Sequence, residues 1–468
     1  MAGMSMGALR QRVWRWHFLA GLMVVPFAIV LATTGGIYLF KPQVEAAMER
    51  HINAGAQRAA QALPADDLVA ATQTRYPAAS FTRLTLARSP ADPTVEVELA
   101  VAGTPRVLWV DRYTGAILAD REKGLLLMEF VKNIHGNLFA GNGGSLVVEL
   151  MASWMIVLIV TGVYLWWPRN MAWWRVFLPG LRRLRPRELM RRLHGAAGAW
   201  IGGIVLLLLL SGLPWTQVWG GAFAKVEHAM GWDGPGQEWV VTLQSSDPPA
   251  PGAAHHHHGG GSPDGLKPWA TSSDDMGMVT LHSGHPASGA DPVSLQSVVD
   301  MVTPQHMANP VEIQPPAGAN GVWSVLSMAQ DRRDRQTVHY DRWTGEEIMH
   351  IRFADYHPVQ RFASYGISLH EGALFGWTNQ ALGVVAALGV ILISVSGAIM
   401  WWKRRPAGAL GVPALPRDRR LAFGVTLLIL VLGVFLPMMG LSLVAVLLLD
   451  MAWAGGRRLL RLRTAPRG

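Results

Sequence analysis

Long apolar blocks separated by polar segments form the main pattern of this sequence. Four blocks reach the roughly 20 residues that a helix needs to cross a bilayer, and they lie at 17–40, 146–168, 194–218 and 378–402. A fifth block, 421–454, is interrupted between Pro437 and Gly440 and predicts two short spans joined by a tight turn. The first block is too long for a cleaved signal peptide and is expected to remain as an anchor. The pattern predicts a polytopic α-helical membrane protein with about six transmembrane helices.

Basic residues concentrate in the short segments beside these blocks. Of the 41 lysines and arginines, 22 lie with only two acidic residues in 1–16, 169–193, 403–420 and 455–468. The long segments 41–145 and 219–377 hold 19 basic against 28 acidic residues. Because basic short loops mark the cytoplasmic face of a membrane, we expect both termini in the cytoplasm and both long segments outside it. The net charge of +9 then reflects topology, and no nucleic-acid partner is predicted.

The helices and outward segments repeat along the chain. His17 in "WHFLAG" and His194 in "LHGAAG" each precede a glycine by four residues. A hydroxyl–glycine pair lies seventeen residues beyond each histidine, at Thr34-Gly35 and Ser211-Gly212. Both outward segments contain a D-R-aromatic-T-G core, in "WVDRYTGAILADRE" and "VHYDRWTGEEIMHIRF", which predicts a β-hairpin. Two copies of one unit are therefore expected, each with an outward domain.

A second pair of histidines follows these hairpins. His135 lies in "NIHGNLFAGNGG" and His370 in "SLHEGALFGWTN", 235 residues apart. Trp166 and Trp401, in the "WW" pairs that end the following helices, have the same offset. The predicted order is 1–40 (N-terminus and helix 1), 41–145 (outward domain), 146–168 (helix 2), 169–193 (basic loop), 194–218 (helix 3), 219–377 (outward domain), 378–402 (helix 4), 403–420 (basic loop), 421–454 (helical hairpin) and 455–468 (basic tail).

The four repeat histidines are the candidate functional residues. The topology puts His17 and His194 at the cytoplasmic ends of helices 1 and 3, and His135 and His370 at the outer ends of helices 2 and 4. Ionisable residues at membrane depth are costly and often functional. Neutral imidazoles from facing helices are good axial ligands for haem iron, and glycines one turn away leave room for the macrocycle. We therefore expect two haems per chain, one near each membrane face.

Other roles for these histidines remain open. They fit hydrogen bonding to lipid headgroups, a transition metal without a porphyrin, or a proton relay. The chain contains no cysteine, which excludes disulfides, thiolate-bound metals and covalent haem attachment, so the expected haem is of the b type.

The second outward segment carries a Gly-, Pro- and Ser-rich insertion at 245–295, whose composition predicts a loose loop. Its histidines are a candidate site for weak binding of copper, nickel, zinc or iron: His255, His256, His257, His258, His282 and His285.

Several motifs together resemble one family. "HGNLFAG" followed by "VELMASWMIVLIVTGVYLWWPR", the "RRLHGAAGAWIGGIVLLLLLSGLPW" segment, the D-R-[YW]-T-G hairpins and "FLPMMGLSLVAVLLLD" resemble the PepSY-associated transmembrane family of bacterial inner-membrane proteins. The resemblance covers nearly the whole chain outside the histidine-rich insertion, and it implies that the outward segments are α+β PepSY-like domains in the periplasm. Several members of that family are ferric-siderophore reductases with two haems. By this resemblance His17 and His194 hold an inner haem, and His135 and His370 hold an outer one.

The resemblance implies a reductase that serves iron uptake by passing electrons across the membrane to a periplasmic ferric siderophore or another oxidised metal complex. No G-x-G-x-x-G fingerprint in a strand–helix context is found, so the donor is expected to be quinol or a cytoplasmic reductant. Two rival functions remain. One is a non-enzymatic membrane protein whose PepSY-like domains bind a peptide, a peptidase or a metal, and the other is a haem protein that donates electrons to a periplasmic enzyme.

Overall fold

A computed structural model describes residues 6–59, 61–89, 91–167, 185–232, 243, 245, 291–318, 320–414 and 423–464. The α-helices in these ranges are α1 Met6–Tyr38, α2 Lys41–Asn53, α3 Ala65–Arg75, α4 Leu127–Asn137, α5 Gly141–Trp166, α6 Pro186–Gly212, α7 Gln217–Met230, α8 Leu295–Val302, α9 Pro358–His370, α10 Trp377–Arg404, α11 Phe423–Phe435 and α12 Pro437–Thr464. The strands are β1 Ser80–Thr85, β2 Thr94–Val101, β3 Thr104–Asp111, β4 Ile117–Glu122, β5 Val311–Gln314, β6 Trp323–Ser327, β7 Gln336–Tyr340 and β8 Glu347–Arg352.

The chain divides into two compact units. The helical unit takes its described residues from 1–36, 134–222 and 384–468, and the sheet unit takes them from 37–133 and 223–383. Each unit thus contains segments from both halves of the duplicated sequence.

The helical unit contains four helices that are long and apolar enough to cross a membrane, namely α1, α5, α6 and α10. Many of their large apolar side chains are exposed, as expected of lipid-facing residues, and Leu388 of α10 is 61% exposed. The chain is therefore a multi-pass membrane protein. The apolar parts of α11 and α12, Thr426–Phe435 and Pro437–Leu449, are shorter, and their crossing of the bilayer stays a prediction.

The helices extend beyond the apolar blocks that predicted them. α1 begins at Met6, so His17 lies eleven residues inside the helix, and α6 begins at Pro186, eight residues before His194. The prediction that these histidines lie at helix ends was wrong. Arginine is a good helix former, so a basic segment ends an apolar block without ending the helix. α6 starts at Pro186, because proline lacks a backbone N–H and the N–H at the first helical position makes no bond within the helix.

The predicted outward segments form one antiparallel sheet of eight strands in the order β4-β3-β2-β1-β5-β6-β7-β8. The first half of the chain supplies one side of this sheet and the second half supplies the other. They meet where β1 pairs with β5, through Leu84 opposite Ile313 and Thr85 opposite Glu312. Arg83 Nη1 bonds Glu312 Oε2 at 2.8 Å across the same seam. The sequence predicted two domains, and the structure joins them because each half has an edge strand whose backbone groups need a partner.

One apolar core lies under the sheet, and both halves contribute to it. Val97 and Val338 are fully buried within this core. The helices α3 and α8 pack against it and cap each other at their N-terminal ends. Asp66 accepts hydrogen bonds from the backbone of Leu295 and Gln296, and Gln296 Oε1 accepts one from the backbone N–H of Ala65. These reciprocal bonds satisfy helix-end donors that would otherwise lack partners.

The predicted hairpins are confirmed as β3–β4 and β7–β8. In the first turn, Asp111 Oδ1 accepts from the N–H groups of Tyr113 and Thr114 at 2.8 and 3.2 Å. In the second, Asp341 makes the equivalent bonds at 2.7 and 2.8 Å. Glycine follows at φ +73° and +71°, a left-handed conformation that glycine adopts without strain. This chemistry explains the D-R-aromatic-T-G motif.

Replacing Asp341 with alanine should destabilise the sheet unit, because the turn would lose the buried carboxylate that accepts from two backbone donors. We expect a loss of about 1–3 kcal/mol, measured by thermal unfolding of the detergent-solubilised chain. Asp341→Asn keeps an acceptor oxygen and should recover part of the loss. Equal stability of the alanine variant and wild type would show that the motif does not depend on these bonds.

Glu96 on β2 should make stability depend on pH. Its carboxylate accepts a hydrogen bond from Trp109 Nε1 at 3.0 Å, and burial, followed by the charge of Glu49, raises its pKa to about 7. The folded state therefore binds a proton that the unfolded state releases, so stability should fall as pH rises from 4.5 to about 7. Glu96→Gln keeps the acceptor and should flatten this dependence in thermal unfolding at several pH values. The exposed Glu346→Gln is the control, and an unchanged slope in Glu96→Gln would contradict the assignment.

Candidate functional site

The helical unit brings His17 of α1 and His194 of α6 together. Their ring centroids are 6.4 Å apart, and the ring planes lie at 88° to each other. The repeat and the deduced topology predicted this pair, although not its depth within the helices. Both rings lie in helices that qualify as membrane spans.

The Nδ1 atoms of both rings are held by neighbouring helices. His194 Nδ1 lies 3.0 Å from the carbonyl oxygen of Ile393 and 3.3 Å from Ser396 Oγ, both on α10. His17 Nδ1 lies 2.9 Å from Thr161 Oγ1 on α5. A carbonyl oxygen only accepts, so Nδ1 of His194 carries the ring proton. The lone pair of the neutral ring is then on Nε2, the nitrogen that remains for a metal.

The separation of the two rings would suit a haem iron held between them. Two imidazoles on opposite sides of one iron have ring centroids roughly 6 Å apart, given metal–nitrogen bonds of about 2.0 Å. The observed separation of 6.4 Å is close to that value. Gly198, one turn beyond His194, has open space where a side chain would lie, as a neighbouring macrocycle requires. Among the described residues, no group of three or more His, Cys, Asp or Glu side chains is arranged to hold a bare metal ion.

His135 lies in the last turn of α4 and is held by α1. Its Nδ1 is 3.0 Å from the carbonyl oxygen of Leu31 and 3.1 Å from Thr34 Oγ1. The residues after α4 turn sharply, with Leu138 and Phe139 at φ +53° and +57°. The "HGNLFAG" stretch therefore contains the end of α4, which carries His135, and the first residue of the next membrane helix, α5.

His370 is the last residue of α9 and belongs to the sheet unit. The chain then turns at Gly372, φ +77°, and enters α10. Beside His370, the Oε2 atom of Glu371 lies 3.6 Å from Nη2 of Arg332. Burial lowers the pKa of Arg332 to about 10, and the charge of Glu371 opposes that change. Because His135 belongs to the helical unit, its pairing with His370 stays a prediction.

The structure does not describe the histidine-rich loop. His255, His256, His257, His258, His282 and His285 lie outside the described residues. Metal binding by these side chains stays a prediction.

The sequence did not identify Glu149, a fully buried carboxylate in α5. Its two oxygens accept from the backbone N–H groups of Val218 and Trp219, each at 2.9 Å, in the first turn of α7. The carboxylate therefore caps that helix and satisfies donors that have no intrahelical partner. A single acid within an apolar block was the available signal.

The sequence also did not identify the hydroxyl groups that bond the Nδ1 atoms of the histidines. Thr34-Gly35 was singled out as a repeat feature, whereas Thr161-Gly162 and Ser396-Gly397 were only parts of the aligned "TGVYLWW" and "SGAIMWW" stretches. The signal that marks them is a hydroxyl–glycine pair in each of the four long apolar helices.

The chain matches one family model over most of its length. That model is described as the PepSY-associated TM region, and it matches residues 14–404. The match includes all four repeat histidines. No curated relative matches the chain.

Proposed function

We propose, from the premise that this chain belongs to the PepSY-associated TM family, that it is a di-haem reductase of the bacterial inner membrane. In this proposal both termini are cytoplasmic and the sheet unit faces the periplasm. Electrons pass from a quinol or a cytoplasmic reductant to a ferric siderophore or another oxidised metal complex. The cofactor is haem b, with His17 and His194 at the inner site and His135 and His370 at the outer site.

The observation that carries this proposal is the pair His17–His194. Two imidazoles from different membrane helices lie at a separation suited to one iron, and the protein itself binds their Nδ1 atoms. A histidine that serves only lipid headgroups has no need of a second imidazole or of a buried acceptor. His135 has the same kind of Nδ1 environment, which supports a second site of the same design.

The chemistry divides between cofactor and protein. Haem iron supplies one-electron transfer between its ferric and ferrous states. Imidazole Nε2 atoms would hold the iron, and the neighbouring helices fix the rings of His17, His194 and His135 through their Nδ1 atoms. Outer-sphere transfer of this kind needs no acid–base residue, so no catalytic side chain is assigned.

A pyridine haemochrome assay of the purified chain should give about two haems per polypeptide, with b-type absorption. His17→Ala and His194→Ala should each remove the same component in a redox titration, because the two rings lie only 6.4 Å apart and would hold one iron. His135→Ala should remove the other component, and the exposed His51→Ala is the control. Full haem occupancy in His17→Ala would refute the ligand assignment. Protein without haem, made with ample haem supply, would favour the non-enzymatic PepSY function.

The acceptor can be tested on the same material. Dithionite-reduced protein, freed of excess reductant under argon, should be reoxidised by a ferric siderophore with a matching gain of ferrous iron. The gallium complex of the siderophore is the control, since gallium(III) is not reduced under these conditions. Reoxidation by oxygen but not by ferric complexes would favour electron donation to a periplasmic enzyme instead.

A further inference from the structure

Three histidine rings each contact a neighbouring membrane helix, and the contact site has the same local structure in all three cases. At each contact site the neighbouring helix has a serine or threonine, whose side chain we call the receiving hydroxyl, followed by a glycine. The three sets are Thr161-Gly162 with His17, Ser396-Gly397 with His194, and Thr34-Gly35 with His135. The hydroxyl oxygen lies 2.9, 3.3 and 3.1 Å from the Nδ1 atom of its histidine.

The hydroxyls are placed to accept a proton from Nδ1 of each histidine. Thr161 Oγ1 donates to the carbonyl of Val157 at 2.7 Å, one turn earlier in its own helix. Thr34 donates in the same way to Val30 at 2.8 Å, and Ser396 donates to Ile393 at 3.0 Å. A hydroxyl has one hydrogen, so an oxygen that donates within its own helix can only accept from the histidine. At His135 and His194 a carbonyl oxygen, of Leu31 or Ile393, also lies 3.0 Å from Nδ1 and can only accept. The hydroxyls and these carbonyls together favour a proton on Nδ1, which leaves the lone pair on Nε2.

The glycine permits the close approach of the ring. A Cβ atom added at Gly35 would lie 2.9 Å from Cε1 of His135. At Gly162 the distance to Cε1 of His17 would be 3.2 Å, and at Gly397 the distance to Cε1 of His194 would be 3.4 Å. A side chain at these positions would push the ring from the helix and lengthen its Nδ1 bonds.

We propose that these hydroxyl–glycine pairs are positioning residues, which hold each histidine as the Nδ1–H tautomer and present Nε2 as the metal-binding atom. This inference rests on the proposed haem-binding function. It adds Thr34, Thr161 and Ser396 as groups that tune the iron, because a hydroxyl that accepts from Nδ1–H makes the imidazole a stronger donor. Packing of small residues alone would account for the glycines, but not for three hydroxyls aimed at Nδ1.

The same hydroxyl–glycine pair also occurs in α6. Ser211 Oγ donates to the carbonyl of Leu208 at 2.9 Å, and Gly212 follows it. Each of the four long apolar helices in the described part of the chain thus carries the hydroxyl–glycine pair.

The test compares Thr161→Val, Ser396→Ala and Thr34→Val with wild type by redox titration of the haem spectrum. Loss of the hydroxyl acceptor should raise the midpoint potential, because a weaker imidazole donor stabilises ferric iron less. The largest change is expected in Thr161→Val, because the carbonyls of Ile393 and Leu31 still accept from Nδ1 in the other two variants. Thr161→Val and Ser396→Ala should move the same component, and Thr34→Val should move the other. Thr161→Ser should restore the wild-type potential. Full haem occupancy with unchanged potentials in all three variants would overturn the proposal.

The glycine is tested separately by Gly162→Ala. Displacement of the ring should reduce haem content or alter the low-spin signal in electron paramagnetic resonance. Gly203→Ala in α6, where an added methyl meets no atom within 4 Å, is the matched control. If both variants kept the wild-type spectrum, the close approach at Gly162 would have no role in positioning.

A second measurement separates this inference from the proposed function. Nitrogen-15 spectra of histidine-labelled full-length protein, prepared without haem, report the tautomer directly, and the loss of a signal in His17→Ala or His194→Ala assigns it. The Nδ1–H tautomer is expected at both positions, with more of the Nε2–H form at His17 in Thr161→Val. The Nε2–H tautomer in wild type would overturn the inference. The Nδ1–H tautomer in a chain that never binds haem would overturn the function alone.

Discussion

A polar side chain inside an apolar helix bundle has no water to bond, so it must find its partners within the protein. This constraint organises the helical unit. Glu149 bonds the first turn of α7, Trp154 Nε1 donates to Ser442 Oγ on α12, and the candidate ligand histidines bond the carbonyls and hydroxyls of facing helices. Each bond ties two helices together at one depth. The side chains that carry the proposed chemistry thereby also help to fix the register of the helices that hold them.

The sheet unit depends instead on the pairing of its two duplicated halves. Two halves of similar topology contribute four strands each, and neither half provides a partner for its own inner edge. The pairing of β1 with β5 satisfies both edges, and the shared core under the sheet makes the halves interdependent. The two halves differ in the residue that follows the second repeat histidine. Glu371 pairs with the buried Arg332 beside His370, whereas Gly136 occupies the position that follows His135.

The sequence predicted those features whose physical cause is local. Apolar length predicted the four long membrane helices, and the D-R-aromatic-T-G motif predicted the two hairpins, because turn chemistry depends on neighbouring residues. The His17–His194 pair followed from the repeat combined with the distribution of charge. The joined sheet could not be predicted, because Leu84 and Ile313 are far apart in sequence and either edge could have been covered otherwise. The role of Thr161 depends on which helix faces α1, and a single sequence does not contain that information.

The seam between β1 and β5 also bears on the origin of the chain. An antiparallel sheet with a mirrored strand order is what two identical chains form when they join edge to edge about a twofold axis. A half-length ancestor could build such a sheet as a homodimer, and each residue at its interface would then have to serve in two environments at once. Covalent fusion removes that demand. Within one chain, one half can carry a residue such as Arg332 without imposing it on the other, so the two halves can differ where a symmetric dimer would have to be identical.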